Sequence, residues 1–428
     1  MLDVKFIREN PDIIRNSLKR RHYNEELLDD FLAVDGEWRS ITAKLGSKRK
    51  EKNEMSRAIA SSVNENEKME LIKKGDEISS DIKKMEDQLN SLSKKRFDIL
   101  YQLPNTPLPD VPVGKDESEN KEIRTWGTPT SFGFKARDHI ELGEINGIID
   151  VERAAKVSGA RFYYLKKEAV LLEFALVQYV ANKLIKKGYI PVIPPVLVRE
   201  KSMFGTGFLP LGRDDVYKIE NEDLYLVGTA EVPLGAMHMD ETFRYKDLPI
   251  KYFGFSSCFR TEAGAHGRDT KGIFRVHQFD KIEMFKYSVE EESEKEHEDL
   301  IKTAEEIFQD MKIPYRIINI CTGDLGAPAA KKYDLEAYLP GQLKYREMVS
   351  CSNCTDYQAR RLNIKYVDKY GNLKYVHTLN STALAIERTI VAIFENYQME
   401  DGSIGIPDVL KPYIGVLEKI GTGLKNGK

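Results

Sequence analysis

Residues 252–285 read YFGFSSCFRTEAGAHGRDTKGIFRVHQFDKIEMF. Two runs rich in aromatic and β-branched residues, Tyr252–Phe259 and Ile273–Phe285, flank a polar loop carrying Gly264, Gly267 and Gly272. Apolar runs joined by a glycine-bearing loop predict a long antiparallel β-hairpin. Side chains two apart on a strand share a face. Arg260 and Glu262 therefore fall together at the end of the first strand, and Arg275, His277, Phe279, Lys281 and Glu283 along the second. Such a set is costly to bury unless paired. Two readings stay open on these residues alone. One is a solvent-facing surface laced by cross-strand ion pairs. The other is a site for a ligand with phosphates, a flat base and an ammonium group, in which arginine forks clamp oxygens, Phe279 stacks and Glu283 holds the cation.

The chain has 428 residues, enough for a large domain plus a smaller one, with 41% hydrophobic and 31% charged residues. A net charge of −3 announces no global affinity for nucleic acid, so RNA contacts must come from local patches. Four cysteines are too few for a disulfide framework. The start, MLDVKFIREN, has no apolar signal core, and no apolar run approaches the ~20 residues of a membrane helix. A cytoplasmic protein without membrane contact is expected.

After a short helical lead marked by Asn10-Pro11, the apolar positions fall on alternating spacings of four and three. Leu27, Phe31, Val34, Trp38, Ile41, Leu45, Met55 and Ile59 form one series. Leu71, Ile78, Ile82, Met85, Leu89, Leu92, Ile99 and Leu103 form the next, after a polar break at Ser61–Lys68. Two such helices with a short break predict an antiparallel coiled-coil arm, which at ~35 residues per helix would extend roughly 50 Å. Gly75 and Arg96 stand at core positions and should weaken the seam locally. Lysine clusters such as Lys83-Lys84 and Lys94-Lys95-Arg96 read for the most part as a solvated surface, with RNA phosphates as the functional alternative. Proline ends the arm in Leu103–Pro112. The expected organisation is a helical unit over 1–104, a linker over 105–130 and a catalytic domain over 131–428, frayed from Gly421.

Four further segments bear on chemistry. Ala169–Lys187 reads as an amphipathic helix stopped at Gly188, followed by the proline-bearing run Tyr189–Val198, an edge strand. Thr229-Ala230-Glu231 reads locally as a helix start. In Tyr345–Cys354, Glu347 and Ser350 offer hard oxygen donors on an extended segment, suited to Mg2+. Cys351-x-x-Cys354 has no second pair, which argues against zinc. Asn380, Ser381 and Thr382 precede an apolar run and read as the start of a buried helix over Thr378–Phe394, inside which Arg388 needs an anion. Glu387 or an acid from a neighbouring strand would each serve.

Phe259-Arg260-Thr261-Glu262, the glycine loop and Phe274–Glu283 together resemble motif 2 of the class II aminoacyl-tRNA synthetases, in detail the seryl-tRNA synthetase version. The helix–Gly188–strand unit with Pro195 resembles motif 1, and the Arg388 segment resembles motif 3. The resemblance covers the whole chain, arm included. It implies an α+β protein: an N-terminal coiled-coil arm, then a class II catalytic domain built on an antiparallel β-sheet flanked by helices. It implies a homodimer joined through motif 1, with serine, ATP and Mg2+ as ligands and serine tRNA gripped by the arm. Selenocysteine tRNA stays open as a further acceptor.

Carried over residue by residue, the resemblance implies that Arg260, Glu262, Arg275 and Arg388 are catalytic. Serine would be held by Thr229, Ala230, Glu231, Arg260, Glu283, Asn380 and Thr382. ATP would meet Arg260, Thr261, Glu262, Val276, Phe279, Glu347, Met348, Val349, Ser350 and Arg388, with Mg2+ on Glu347 and Ser350. One departure stands out: Glu387 fills a position where the family often has glycine or another small residue, so the helix packing there should differ. Two other classes bear weighing. A ligase that charges a carrier protein should lack the arm, and a catalytically inactive RNA-binding relative should lose the ATP residues.

Overall fold

The computed structural model describes residues 1–263, 269 and 271–421. Gly264 and Gly267 of the loop, and the tail beyond Gly421, lie outside the described residues. The contacts divide the chain into two units, Leu2–Pro104 and, with Met1, Asn105–Lys428.

The first unit is helical. Helices α1 (Val4–Glu9) and α2 (Pro11–Arg20) lead in, with Pro11 in the first turn, where its missing N–H costs no bond. Helices α3 (Glu26–Ser61) and α4 (Glu65–Gln102) follow, separated only by 62–64, so they return antiparallel. Asn64 caps α4 by accepting from the amides of Asn66 and Glu67. The seam buries Leu45, Ile78 and Ile82, flanked by Met55, Met85 and Leu89, as the spacing predicts. At its base Leu28, rather than Leu27, is buried beside Phe31 and Val34.

Arg96 does not weaken the seam in the way expected. Its Nε donates to Asp35 Oδ1 at 2.7 Å, and its guanidinium lies 4.9 Å from the Trp38 ring centroid. Asp35, fully buried, also accepts from Arg8 at 2.7 Å and Arg39 at 3.1 Å. The ionic cluster thus replaces one layer of apolar packing.

The second unit is organised on a sheet of eight strands among the described residues. In chain order they are β1 (Lys121–Trp126), β2 (Ile190–Val192), β3 (Ile250–Phe259), β4 (Gln278–Ser288), β5 (Tyr315–Asn319), β6 (Lys331–Leu339), β7 (Lys344–Asn353) and β8 (His377–Ala385). Across the sheet they run β1-β5-β6-β7-β8-β4-β3-β2. Every pairing is antiparallel except β2 with β3. Helices α5 (Glu168–Lys186), α6 (Glu231–Ala236), α7 (Ser293–Asp310), α8 (Tyr357–Leu362) and α9 (Ile386–Asn396) cover it.

The even-numbered residues Ile282 and Met284 of β4 join the main core with Leu300, Ile301 and Ala304 of α7. The odd-numbered Phe285 and Tyr287 pack instead with Ala230 and Leu234 at α6. Gly254 makes that second contact close: a Cβ there would stand 3.2 Å from Ala230 Cβ and 3.1 Å from Leu234 Cδ1.

Three expectations change. The stretch read as a linker contributes β1, which pairs with β5, while Val111 and Leu108 pack on Ile318 and Ile320. The second strand of the hairpin begins at Gln278 rather than Ile273, so Arg275 and His277 precede it. Thr378–Ala385 is strand β8, not the start of a helix; α9 begins at Ile386 with Ala385 as its N-cap. Pairing on both sides, with β7 and β4, satisfies the backbone of this segment and overrides its local helix-start pattern. Strand β2 ends the sheet, as its Pro191 favours. Beside it Ile193 is 86% exposed and Phe174 of α5 64% exposed.

Candidate active site

A cleft opens where the start of β4, the bulged part of β7 and the first turn of α9 converge. Arg260, Glu262, Arg275, Val276, Phe279, Glu347, Met348, Ser350, Thr382 and Arg388 all line it.

Arg260 follows β3, where its amide donates to His277 O at 3.0 Å and extends the hairpin pairing. Its guanidinium lies 5.2 Å from the Phe279 ring centroid, and its Nε donates to Gly228 O at 3.2 Å. Glu262 has φ +53°, a left-handed conformation uncommon for a non-glycine residue and characteristic of constrained sites. It accepts from Arg275 Nη1 at 2.6 Å, while Arg275 Nε is buried with no hydrogen-bond partner. That Nε lies 3.8 Å from Asp269 Oδ2, so the guanidinium is ion-paired with two carboxylates.

Glu347 and Ser350 are three apart, which on a regular strand puts them on opposite faces. A β-bulge corrects this. Leu335 pairs with Val349 but Glu336 with Glu347, leaving Met348 as the extra residue. Asp334 and Glu336 share a face of β6, so their partners Ser350 and Glu347 do too. Val349 points into the main core, and Met348 packs there as well.

Arg388 in the first turn of α9 donates from Nη1 to Glu347 O at 2.9 Å and lies 3.5 Å from its carboxylate. Its partner among the protein's acids is thus Glu347 rather than Glu387. Burial is the largest single influence on the Glu347 carboxyl and pushes it up. Arg388, Lys332 and Arg260 outweigh that burial and draw the carboxyl down to about 2.

Beside this cavity lies a smaller polar cluster. Register places Thr382 of β8 opposite Glu283 of β4, and the hydroxyl donates to the carboxylate at 3.4 Å. Glu283 is also paired with Lys281 at 2.6 Å, both buried. Glu231 accepts from Gln358 Nε2 at 2.8 Å, and its own amide donates to Thr229 Oγ1 at 3.2 Å. Burial, and then the charge of Glu283, push the Glu231 carboxyl up to about 7. Two carboxylates against one lysine leave a site fit for a small ammonium ion. Asn380 is buried there with Nδ2 on Cys354 Sγ at 3.8 Å.

Not every residue named from the sequence joins these groups. The Thr261 hydroxyl donates to Asp214 O, and its side chain does not line the cavity. Val349 is a core residue, and Ala230 a packing residue against Gly254. The structure adds Phe274, whose ring lies 4.0 Å from the Arg346 guanidinium and 4.9 Å from that of Arg388. It also adds Lys281, Gln358 and Glu387. Lys281 and Phe274 stand within the quoted hairpin and were legible as candidates. Gln358 carries no local signal, since it reaches Glu231 from a helix 127 residues away in sequence.

The candidate Mg2+ donors fit that ion in chemistry: an ionised carboxylate and a hydroxyl brought to one face. Among the described residues no group of three or more His, Cys, Asp or Glu could hold a metal. A cation here would take most of its ligands from phosphate and water, as Mg2+ commonly does. Nor is any described helix long and apolar enough to cross a membrane.

Comparison with known proteins agrees with this geometry. Residues 1–107 match the seryl-tRNA synthetase N-terminal domain, and residues 216–397 the class II tRNA synthetase core domain (G, H, P, S and T). A serine–tRNA ligase of Dictyoglomus turgidum is 47% identical over 421 residues, 98% of this chain and 99% of the relative. The crystal structure of seryl-tRNA synthetase from Pyrococcus horikoshii complexed with ATP superposes with a TM-score of 0.92 at 47% identity, covering 98% of this chain and 99% of that one. That of the cytoplasmic serine–tRNA ligase of Naegleria fowleri in complex with AMP gives 0.87 at 38% identity, covering 98% of each. The chain belongs to the seryl-tRNA synthetase family of class II aminoacyl-tRNA synthetases, which are ATP-dependent serine–tRNA ligases.

Proposed function

We propose that the cavity and the polar cluster beside it hold ATP and serine side by side, and that this chain activates serine and charges serine tRNA. The observation that carries the reading is the convergence of Arg260, Arg275 and Arg388 on one cavity that adjoins the Glu231–Glu283–Thr382 cluster. Serine's ammonium goes to the two carboxylates and its hydroxyl to the Glu283–Thr382 pair. Its carboxylate then faces Arg260, within reach of the α-phosphate.

The carboxylate oxygen attacks the α-phosphorus, the bond to the β-phosphate oxygen breaks, and seryl-adenylate and pyrophosphate result. The terminal adenosine hydroxyl of tRNA next attacks the seryl carbonyl and AMP leaves. No side chain becomes covalently bound. The three arginines position the reactants and offset charge as it shifts onto the leaving pyrophosphate. Phe279 offers its ring to adenine, and Val276 and the Met348 backbone complete that wall. A Mg2+ held by Glu347 and Ser350 would neutralise phosphate charge. The ATP and AMP bound to the Pyrococcus and Naegleria relatives support the nucleotide assignment.

The helical unit Leu2–Pro104 serves as the tRNA-binding arm, gripping the long variable arm of serine tRNA. The reading places the enzyme in the cytoplasm as a homodimer. A second copy would cover Phe174, Ile190 and Ile193 at the sheet edge, and light scattering in solution at twice the chain mass checks this. The activation step is tested by exchange of labelled pyrophosphate into ATP with serine, threonine, alanine and glycine in turn. Exchange with serine alone is expected. Exchange with a different amino acid would move the specificity toward a carrier-protein ligase, and none from folded protein would leave an inactive RNA-binding relative.

A further inference from the structure

Glu387 is a buried carboxyl group in the wall of the ATP cavity that the activation chemistry does not use. It stands one residue before Arg388 in the first turn of α9. Both of its oxygens accept from the backbone amide of Asp280, at 3.0 and 3.1 Å. Asp280 immediately follows Phe279 at the start of β4. The hydroxyl of Tyr163, from the segment before Tyr164–Leu165, donates to the same carboxyl group. Backbone pairing does not hold α9 against β4 here, because the β8–β4 ladder ends at Ala385 and Lys281. Beyond that point the Glu387 side chain is the hydrogen-bonded tie between the two elements.

We infer that Glu387 is a positioning residue that sets the distance between Phe279 and Arg388, and so the spacing at which adenine and the phosphate chain of ATP are gripped. The inference rests on the ATP-site reading above. An ionic role is not required, because a side chain with one acceptor oxygen for the Asp280 amide and a polar group for Tyr163 meets the geometry. Glutamine supplies both. Alanine supplies neither and would leave the spacing of α9 on β4 to the apolar packing of the main core. Since misplacement by about 1 Å can cost roughly 10²-fold in rate, losing the tie should be felt at the nucleotide and not at the serine cluster, whose own hydrogen bonds do not include Glu387.

The test is serine-dependent pyrophosphate exchange by the full-length wild type, E387A, E387Q and Y163F, with KM for ATP and for serine measured separately. For E387A the KM for ATP should rise at least about tenfold while the KM for serine stays within about twofold. E387Q should restore the wild-type KM for ATP, and Y163F should fall between. A drop in kcat alone, with the KM for ATP unchanged in E387A, would overturn the inference and leave a packing role. So would an E387Q as impaired as E387A. If E387A does not fold, E387M, which keeps the side-chain volume without the acceptor, still decides: an unchanged KM for ATP in it rejects the tie. Absence of exchange by the wild type would instead overturn the ATP-site reading itself.

Discussion

The Arg388 guanidinium holds the backbone carbonyl of Glu347 at 2.9 Å and lies 3.5 Å from the Glu347 carboxylate. The arginine proposed to receive phosphate is thus held, through contacts within the chain, by the residue proposed to receive Mg2+. Preorganised charge of this kind spares reorganisation during reaction. R388A should therefore lower kcat/KM for serine activation by about 10²–10³, measured by pyrophosphate exchange. R388K should recover little, since a single ammonium cannot serve the carbonyl, the carboxylate and a phosphate together.

Glu231 sets a pH dependence. Its carboxyl is raised to about 7, first by burial and then by the neighbouring Glu283 charge, with Gln358, Lys281 and Arg260 pulling the other way. The unfolded chain releases this proton near 4.3, so between those values the folded state binds more protons and stability falls as pH rises. The loss is up to about 4 kcal/mol. E231Q removes it, so its Tm should exceed that of the wild type at pH 8, with the gap closing at pH 5. The same change deletes a charge proposed for the substrate ammonium, and the KM for serine should rise about 10- to 100-fold. A melting curve and an exchange assay at each pH check both halves.

Asp35 is the keystone of the arm's base. Burial pushes its carboxyl up, yet the hydrogen bonds from Arg8 and Arg96 outweigh that and hold it below the ordinary range. Its contribution to stability is present above about pH 4 and is lost as pH falls through its folded value. D35A leaves Arg96 without its carboxylate in a largely buried layer and should cost roughly 3–5 kcal/mol. Hydrogen–deuterium exchange should accelerate across α3 and α4, with the catalytic unit's strands protected as before.

Gly75 lies inside α4, where a Cβ would meet Ile59 Cδ1 and Met55 Cγ, each at 3.7 Å. That is ordinary contact, and alanine is favoured over glycine in a helix interior by about 1 kcal/mol. G75A should stabilise the arm by that amount, read as slower exchange over α3 and α4. The glycine weakens the helix, as its position in the heptad predicts, and the seam has room for the missing methyl.

What could be read in advance was what depends on local order. The spacing of Phe31, Val34, Leu45, Ile78 and Ile82 is enough to announce a helical hairpin, because helical period and side-chain size act over a few residues. Arg260, Phe279, Glu283 and Arg388 were legible as an unusual set of polar and aromatic groups in apolar surroundings. Asp35 was not, since a charged residue in a heptad reads as surface until three arginines from other turns close on it. Asn380, Ser381 and Thr382 misled for a related reason: alone they suit a helix start, and only the partners β7 and β4 make them a strand.

The sequence by itself determined the arm, the hairpin and the identity of the arginines and carboxylates, because residue chemistry and short-range periodicity are written in consecutive positions. Tertiary structure decided which of them share a face. Glu347 and Ser350 stand together only because β6 opposes Met348 and Val349 with a single residue, and Thr382 meets Glu283 only through the register of β8 on β4. Strand parity is a local rule, but a bulge belongs to the pair of strands, and pairing is settled by residues far apart in the chain.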